Sequence, residues 1–419
     1  MSTDVSAQAA SRSFFTRFAL IWMNLASEPF VALYTLLLFI LRKDLSATTL
    51  QITVFATLQP VIAVFSFYWS SNLLRQRTKL LSNLMGAWVL GRLPFLCLPF
   101  IENVWFLIFA AGIYQLFERA GIPAMMEILK LNVTKERREK LYSRVFVLKF
   151  IESIILGVFV GKLLDIHPGT WKIFFFVAAL LSISSIFIQM RIPLPASLKP
   201  DENVPPITTN RLLQPIKDCI HLMRSRPDFA HFQWGFMIGG FGLMLMKPAS
   251  IIFYVDHLAL SHDQATMARY IWMGIGVVAS SFLWRRALNA IPTHRFTAII
   301  IFGFSFFPLF LLLAQWNLFW VNIAFLFYGI AQAGSHLIWT LSGTLFAKDE
   351  DSSKFTGVNI FMVGLRGLIG PVLGGLLCGL IGPVPVLLIG SFICIGGTAY
   401  MILKKSIDEK RRSAQIELS

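Results

Sequence analysis

Two long stretches of this 419-residue chain carry no Asp, Glu, Lys or Arg: one between Arg295 and Lys348, the other between Arg366 and Lys404. A helix that crosses a bilayer needs about 20 apolar residues. Each stretch therefore holds two crossings joined by a tight turn. The turns read as Gln315-Trp316-Asn317 in the first and Gly382-Pro383 in the second. The chain as a whole is 56% hydrophobic and 14% charged, against about 25% charged in soluble domains. A soluble globular domain is excluded. Backbone groups in lipid must be satisfied within the chain, so the crossings are helices. Barrel strands would alternate over about 10 residues, and these runs do not.

The same length test along the chain predicts twelve spans, at 14–41, 47–73, 80–100, 103–129, 142–164, 170–190, 229–255, 265–284, 296–314, 318–346, 355–380 and 384–403. Positive charge sorts between the loops. One face carries Arg75, Arg77 and Lys79, then Lys130 to Arg144, Arg191 to Arg226, Arg285, Arg286, Arg295, Lys348, Lys354 and the tail from Lys404 to Arg412. The loops near 101–103, 256–263, 315–317 and 381–384 have no Lys or Arg; the exceptions to the sorting are Arg42-Lys43, Lys162, Lys172 and Arg269. Lys and Arg mark cytoplasmic loops. A multi-pass protein of the cytoplasmic (inner) membrane with both termini cytoplasmic is expected. The net charge of +15 is then a topology signal. It lies in short loops between spans, so no nucleic-acid partner is implied.

The segment Met1 to Ser13 is polar without a cleavage-site pattern, and the first span is expected to be retained. Cys97, Cys219, Cys378 and Cys394 have no metal-motif spacing and read as small buried hydrophobes. Residues 192–228 are the one long polar interval. It opens with Pro193, Pro195, Pro200, Pro205 and Pro206 and turns amphipathic from Leu212 to Ser225. That pattern predicts a cytoplasmic linker ending in a surface helix. The expected division is 1–191, a six-helix bundle; 192–228, the linker; and 229–419, a second bundle with the tail. Asn132-Val133-Thr134 matches a glycosylation acceptor but falls on the cytoplasmic face, so the match is read as accidental.

The halves repeat. Gly121 and Gly334, Gly157 and Gly370, and Gly161 and Gly374 each differ by 213 positions; so do Ala120 and Ala333, Lys135 and Lys348, and Val145 and Val358. The register runs without a gap over two spans and their loop, 115–164 against 328–377. A duplicated bundle of spans is a mark of secondary transporters.

Two six-span halves, a central cytoplasmic linker and parallel duplication resemble the major facilitator superfamily. The resemblance implies an all-α fold of twelve transmembrane helices in two pseudo-symmetric bundles. The family's basic signature after the second span corresponds to Trp69 through Lys79, where Arg75 and Arg77 supply the basic residues of a gating loop. Asn72 stands where the family has an aspartate, and the glycines are missing. Gly370-Pro371-Val372-Leu373-Gly374-Gly375 resembles an antiporter signature but sits in the eleventh span. Gly157, Gly161, Gly370 and Gly374 are read as helix-packing positions, and antiport is not inferred.

Ionisable residues inside the membrane are costly, and each is a site hypothesis. The candidates for solute binding or proton coupling are Glu28, Glu118, Arg119, Glu152, Lys247 and Arg366. By the resemblance, the first, fourth, seventh and tenth spans line a cavity. The second, fifth, eighth and eleventh flank it, and the rest face lipid. Arg92, in the third span, is read as structural. Glu28-Pro29 and Lys247-Pro248 place prolines at similar depth in the first span of each half, where interrupted helices point to a binding site. Glu118 and Arg119 are adjacent, so they point about 100° apart and each needs a partner on another span.

Three acids and three bases suit a small polar, anionic or zwitterionic solute, with a glutamate carrying a coupling proton. The expected function is secondary transport by alternating access, with solute, protons and bilayer as partners, no cofactor, and a monomeric state. With 39 Phe, efflux of amphipathic or drug-like compounds is the second reading. A membrane-embedded enzyme or a non-transporting receptor is the third. His257, His262 and Asp263 come nearest to a catalytic cluster and lack a third ligand at fixed spacing. No phosphate-binding glycine loop is present.

Overall fold

A computed structural model describes residues 2–75, 79–194, 209–347 and 352–417. Every predicted span coincides with a helix. These are α1 (Ser2–Lys43), α2 (Thr49–Arg75), α3 (Leu80–Arg92) with a 3₁₀ turn Leu93–Cys97, α4 (Val104–Asn132), α5 (Lys135–Ile166), and α6 (Trp171–Ser184) with α7 (Ile186–Gln189). After α8 (Thr209–Ser225) come α9 (Pro227–Ile252), α10 (His262–Thr266), α11 (Met273–Ala290), α12 (Thr293–Leu313), α13 (Phe319–Ala347), α14 (Ser352–Ile381) and α15 (Pro383–Glu417). Two π-helical segments, Phe253–His257 and Met267–Trp272, flank the turn between the seventh and eighth spans. Among the described residues, nine helices are long and apolar enough to cross a membrane. The second span is represented by a shorter apolar stretch, Thr49–Ile62. Helices α4 and α5 are long, at 29 and 32 residues, but ionisable residues, Glu118 and Arg119 in α4 and the run from Lys135 to Arg144 in α5, dilute their apolar character.

Local chemistry explains the breaks. Pro94 follows α3 and has no backbone N–H, so it cannot donate to the Leu90 carbonyl and the α-helical ladder ends there. The sixth span breaks at Ser185, where Ser184 and Ser185 turn their hydroxyls back onto the Leu181 and Ser182 carbonyls at 2.6 and 2.7 Å. Such bonds compete with the helical ladder. The interruptions expected at Pro29 and Pro248 are not found; α1 and α9 run continuously through both prolines. The seventh span departs from α geometry five residues later, at Phe253. Cys97 is exposed, unlike the three buried cysteines. Asn132 of the glycosylation match is buried, and its amide donates to Thr16 Oγ1 and the Pro193 carbonyl, both at 2.9 Å.

The helices group into two compact units. One comprises Met1–Ala47 and Val61–Thr208, the other Thr48–Pro60 and Thr209–Ser419. The start of α2 joins the second unit because it packs on α14. A Cβ on Gly367 would lie 2.9 Å from Pro60 Cβ, and one on Gly375 would overlap the Thr53 side chain. The duplication recurs in the packing. In the first unit α1 packs on α5 and α6, and α3 on α4. In the second, α9 packs on α14 and α15, and α12 on α13. Gly121 faces Ala87 and Leu84 of α3, and its counterpart Gly334 faces Ile300 of α12.

Each unit has an aromatic core. Phe30 meets Phe95 at 4.8 Å and Tyr114 at 4.9 Å in the first; Phe229 meets Phe355 at 5.1 Å, and Phe232 meets Phe346 at 4.8 Å, in the second. Such pairs add about 0.5–1.5 kcal/mol each beyond burial. Among the glycines expected at packing positions, Gly157 and Gly161 are buried on α5. On α14, a Cβ at Gly370 would lie 2.7 Å from Met244 Cβ, and one at Gly374 would overlap the Leu245 carbonyl oxygen. Backbone cannot step aside as a flexible side chain can. Gly374→Ala is therefore expected to destabilise the protein by about 1–3 kcal/mol. Gly364→Ala, on the same helix with nothing within 4 Å of the added carbon, should be neutral or stabilising by up to about 1 kcal/mol. Thermal unfolding in detergent compares the two; equal effects would refute the close approach of α14 to α9.

Candidate functional site

The first unit is organised by Arg92, the last residue of α3, whose side chain is 0% exposed. Its Nε donates to Ser182 Oγ at 2.5 Å, and its Nη1 to the Trp88 carbonyl at 3.1 Å. Nη2 donates to Ser27 Oγ at 3.2 Å and to Glu118 Oε2 at 3.1 Å. The guanidinium lies 3.8 Å from the Trp88 ring centre, and Trp88 Nε1 donates to the Ser182 carbonyl at 2.8 Å. One side chain thus ties α1, α4 and α6 to α3. The fork of an arginine suits this; the single ammonium of a lysine does not. Glu118, a candidate coupling carboxylate from sequence, is the anionic partner of Arg92, with its side chain 34% exposed.

Next to Ser27 on α1, Glu28 is 4% exposed. Its Oε2 is 3.2 Å from Lys149 Nζ, and Ser153 Oγ donates to its Oε1. Lys149 and Ser153 lie on α5 at i and i+4, and Glu152 at i+3, so all three share the face turned to α1. Glu152 lies close enough to Glu28 to interact electrostatically, and its Oε2 is buried without a hydrogen bond among the described residues. Two carboxylates therefore share one ammonium. Sequence reasoning missed Lys149, which lies inside the predicted span 142–164, close behind the basic run Lys130 to Arg144. The signal was there as the spacing Lys149, Glu152, Ser153 at the start of an apolar run.

Arg119, on α4, is half-buried, and no carboxylate among the described residues pairs with it. One turn earlier, Gln115 Nε2 donates to the Tyr34 hydroxyl at 3.0 Å, and the Tyr34 ring lies 4.6 Å from Tyr114. A cation, an amide and a phenol thus occupy one stretch of α4 and α1.

In the second unit Arg366, on α14, is 8% exposed. Its Nη1 donates to the Phe236 carbonyl at 2.7 Å, and its guanidinium lies 4.7 Å from the Phe236 ring centre. Gly240 leaves the room; a Cβ there would overlap the guanidinium. Nearby, buried Gln233 donates to Asn359 Oδ1, and Asn359 to Ser342 Oγ, both at 3.0 Å. Sequence reasoning passed over these amides because they carry no charge. Lys247 is half-buried and pairs with no carboxylate among the described residues. Of the expected gating loop, Arg75 closes α2 and Arg77 lies outside the described residues. Among the described residues, no group of three His, Cys, Asp or Glu could hold a metal ion.

Removing one partner of a buried ion pair costs about 3–5 kcal/mol. Arg92→Gln is accordingly expected to destabilise the protein by about that much. Glu118→Gln should cost less, because that carboxylate is partly exposed. Thermal unfolding of the single and double variants checks this; full additivity would mean that the pair contributes nothing.

The sequence pattern described as Major Facilitator Superfamily matches residues 14–365. No curated protein sequence matched the chain. The fold is similar to the crystal structure of the nucleoside transporter NupG, with a TM-score of 0.70 at 14% identity, covering 93% of this chain and 99% of that one. It is similar also to a peptide transporter, POT, in complex with alafosfalin, with a TM-score of 0.68 at 9% identity, covering 93% of each chain. A third is a POT family transporter in complex with 5-aminolevulinic acid, with a TM-score of 0.66 at 10% identity, covering 93% of this chain and 95% of that one. The match over most of the sequence, on a bundle of apolar helices in two repeated units, places this chain in the major facilitator superfamily.

Proposed function

We propose that the protein is a secondary transporter that moves a small polar, anionic or zwitterionic solute across the cytoplasmic membrane, coupled to protons. The observation that carries the reading is the Glu28–Lys149–Ser153 cluster with Glu152 beside it. Two carboxylates on facing helices with a single ammonium leave one excess negative charge inside the span. Like charges in one site resist joint ionisation, and one bound proton removes the excess. The pair is thus a place where a proton can be taken up and released as α1 and α5 change their contact. Ser153 holds Glu28 in orientation; Lys149 compensates whichever carboxylate stays charged. Glu118 is left to hold Arg92 in place. In the second unit Lys247, which lacks a carboxylate partner among the described residues, supplies positive charge for an anionic group of the solute. Polar small molecules bound by proteins of similar fold, including 5-aminolevulinic acid, agree with such a solute class.

Glu28→Gln and Glu152→Gln keep the side-chain shape and remove the titratable group. In proteoliposomes fed a panel of labelled metabolites, both variants should lose accumulation driven by a proton gradient while solute counterflow survives. Undiminished accumulation in both variants would remove the pair from the mechanism. Loss of counterflow as well would point to a binding or folding role.

The membrane orientation in this reading puts both termini and the 192–228 linker in the cytoplasm. Thr134, between α4 and α5, and Asn317, between α12 and α13, are exposed in opposite loop classes. Single cysteines at these positions, without the four native ones, should react from opposite sides of intact cells. Reaction of both from outside would overturn the orientation.

A further inference from the structure

Arg269 departs from the charge sorting of the chain. It lies seven residues from the His262 start of the eighth span, about 10 Å along a helix, at the end of the span that most other Lys and Arg avoid. It is half-buried, and no carboxylate among the described residues pairs with it.

Packing fixes its surroundings. The π-helical segment Met267–Trp272 packs on α13. One turn beyond Arg269, the Met273 carbonyl meets Gly329 so closely that a Cβ on that glycine would overlap it. Tyr328 adjoins Gly329, and the Arg269 charge reaches both Tyr328 and Tyr254. Tyr254 follows Lys247 by two helical turns, so the two share a face. A chain of rings joins the tyrosines: Tyr254 to Phe325 at 6.0 Å, Phe325 to Phe307 at 5.5 Å, and Phe307 to Tyr328 at 4.9 Å. Tyr254 meets α13 at Phe325, and the Met273 carbonyl meets it one turn further on, at Gly329; the two segments that carry Lys247 and Arg269 converge there, and the two like charges interact unfavourably.

Two unpaired cations within one membrane-embedded cluster are costly in desolvation and in mutual repulsion. A bound anion relieves both. The chemistry of the donors selects an oxyanion. The arginine fork matches the paired oxygens of a carboxylate or phosphate, the lysine adds a point charge, and phenol hydroxyls can donate. The cluster is bracketed by two π-helical segments, a geometry that recurs at functional sites.

We propose that Lys247 and Arg269 form a seat for an oxyanion, with Tyr254 and Tyr328 as neighbouring donors, and that its occupant is the carboxylate or phosphate of the transported solute. The proposal rests on the transporter reading and names the chemical group recognised by the second unit.

The test uses full-length protein in phosphatidylcholine nanodiscs, unfolded thermally while inorganic phosphate or succinate replaces chloride at constant ionic strength. The wild type is expected to melt higher in at least one oxyanion. Lys247→Gln and Arg269→Gln should each weaken that response about tenfold or more, while Arg269→Lys, which keeps the charge, loses less. Without oxyanion, both glutamine variants should be as stable as the wild type or more so, since one of two repelling charges is gone. Equal oxyanion responses in wild type and variants, nil included, overturn the seat. A lower anion-free melting temperature in both glutamine variants also overturns it. A parallel set of discs contains phosphatidylglycerol. Stabilisation by that lipid, lost in both glutamine variants and not increased by phosphate or succinate, assigns the seat to a headgroup and overturns the solute as occupant. Protein that binds an oxyanion through Lys247 and Arg269 but transports no solute in proteoliposomes refutes the transporter reading and leaves the seat standing.

Discussion

A guanidinium with no exposed surface sits at the end of α3, in a region built for lipid, and the first unit is arranged around it. An unpaired charge there is prohibitive, so Arg92 draws a hydroxyl from α1, a carboxylate from α4, a hydroxyl from α6 and a carbonyl from its own helix. Those bonds set how α1 and α4 are turned about their axes. Ser27 faces Arg92, and its neighbour Glu28 is turned to α5, where Lys149 and Ser153 meet it. Glu118 faces Arg92, so Arg119, about 100° further round, is turned away from the carboxylate beside it in sequence. One buried ion pair thus orients both Glu28, the proposed coupling carboxylate, and Arg119, a cation with no carboxylate partner among the described residues.

The second unit manages charge differently. Arg366 donates to a backbone carbonyl and lies against an aromatic face, in the room left by a glycine, with its Nε buried and without a hydrogen-bond partner among the described residues. Lys247 and Arg269 have no such provision. The membrane-embedded carboxylates of the proposed mechanism, Glu28 and Glu152, lie in the first unit, and the two neighbouring unpaired cations lie in the second. In the proposed function that asymmetry divides the labour: the first unit handles the proton, the second the anionic group. Close backbone approaches at Gly374 and Gly329 keep the helices carrying these groups against one another where side chains would force them apart.

Particular residues show where sequence reasoning reached and where it stopped. The spans, the family and the short list of buried ionisable residues follow from apolar length, loop charge and the 213-residue register. The pairing of Glu118 with Arg92 did not follow, because Arg92 is remote in sequence and on a span expected to face lipid. Lys149 was lost in a basic run. Arg269 showed only as an exception to the sorting of charge. Pro29 and Pro248 pointed to interruptions that did not form, since both helices pass through them unbroken.

Hydrophobic length and the sidedness of Lys and Arg add up along the chain, so the sequence by itself determined that this protein is a duplicated bundle of membrane helices with ionisable groups inside. Which carboxylate meets which cation depends on how each helix is rotated about its axis. Helices that are apolar nearly all round give the 3.6-residue period little polar contrast by which to read that rotation. Only the tertiary structure decided it, by turning Ser27 and Glu118 to Arg92, setting Glu28 against Lys149, and leaving Lys247 and Arg269 with no carboxylate paired to either among the described residues.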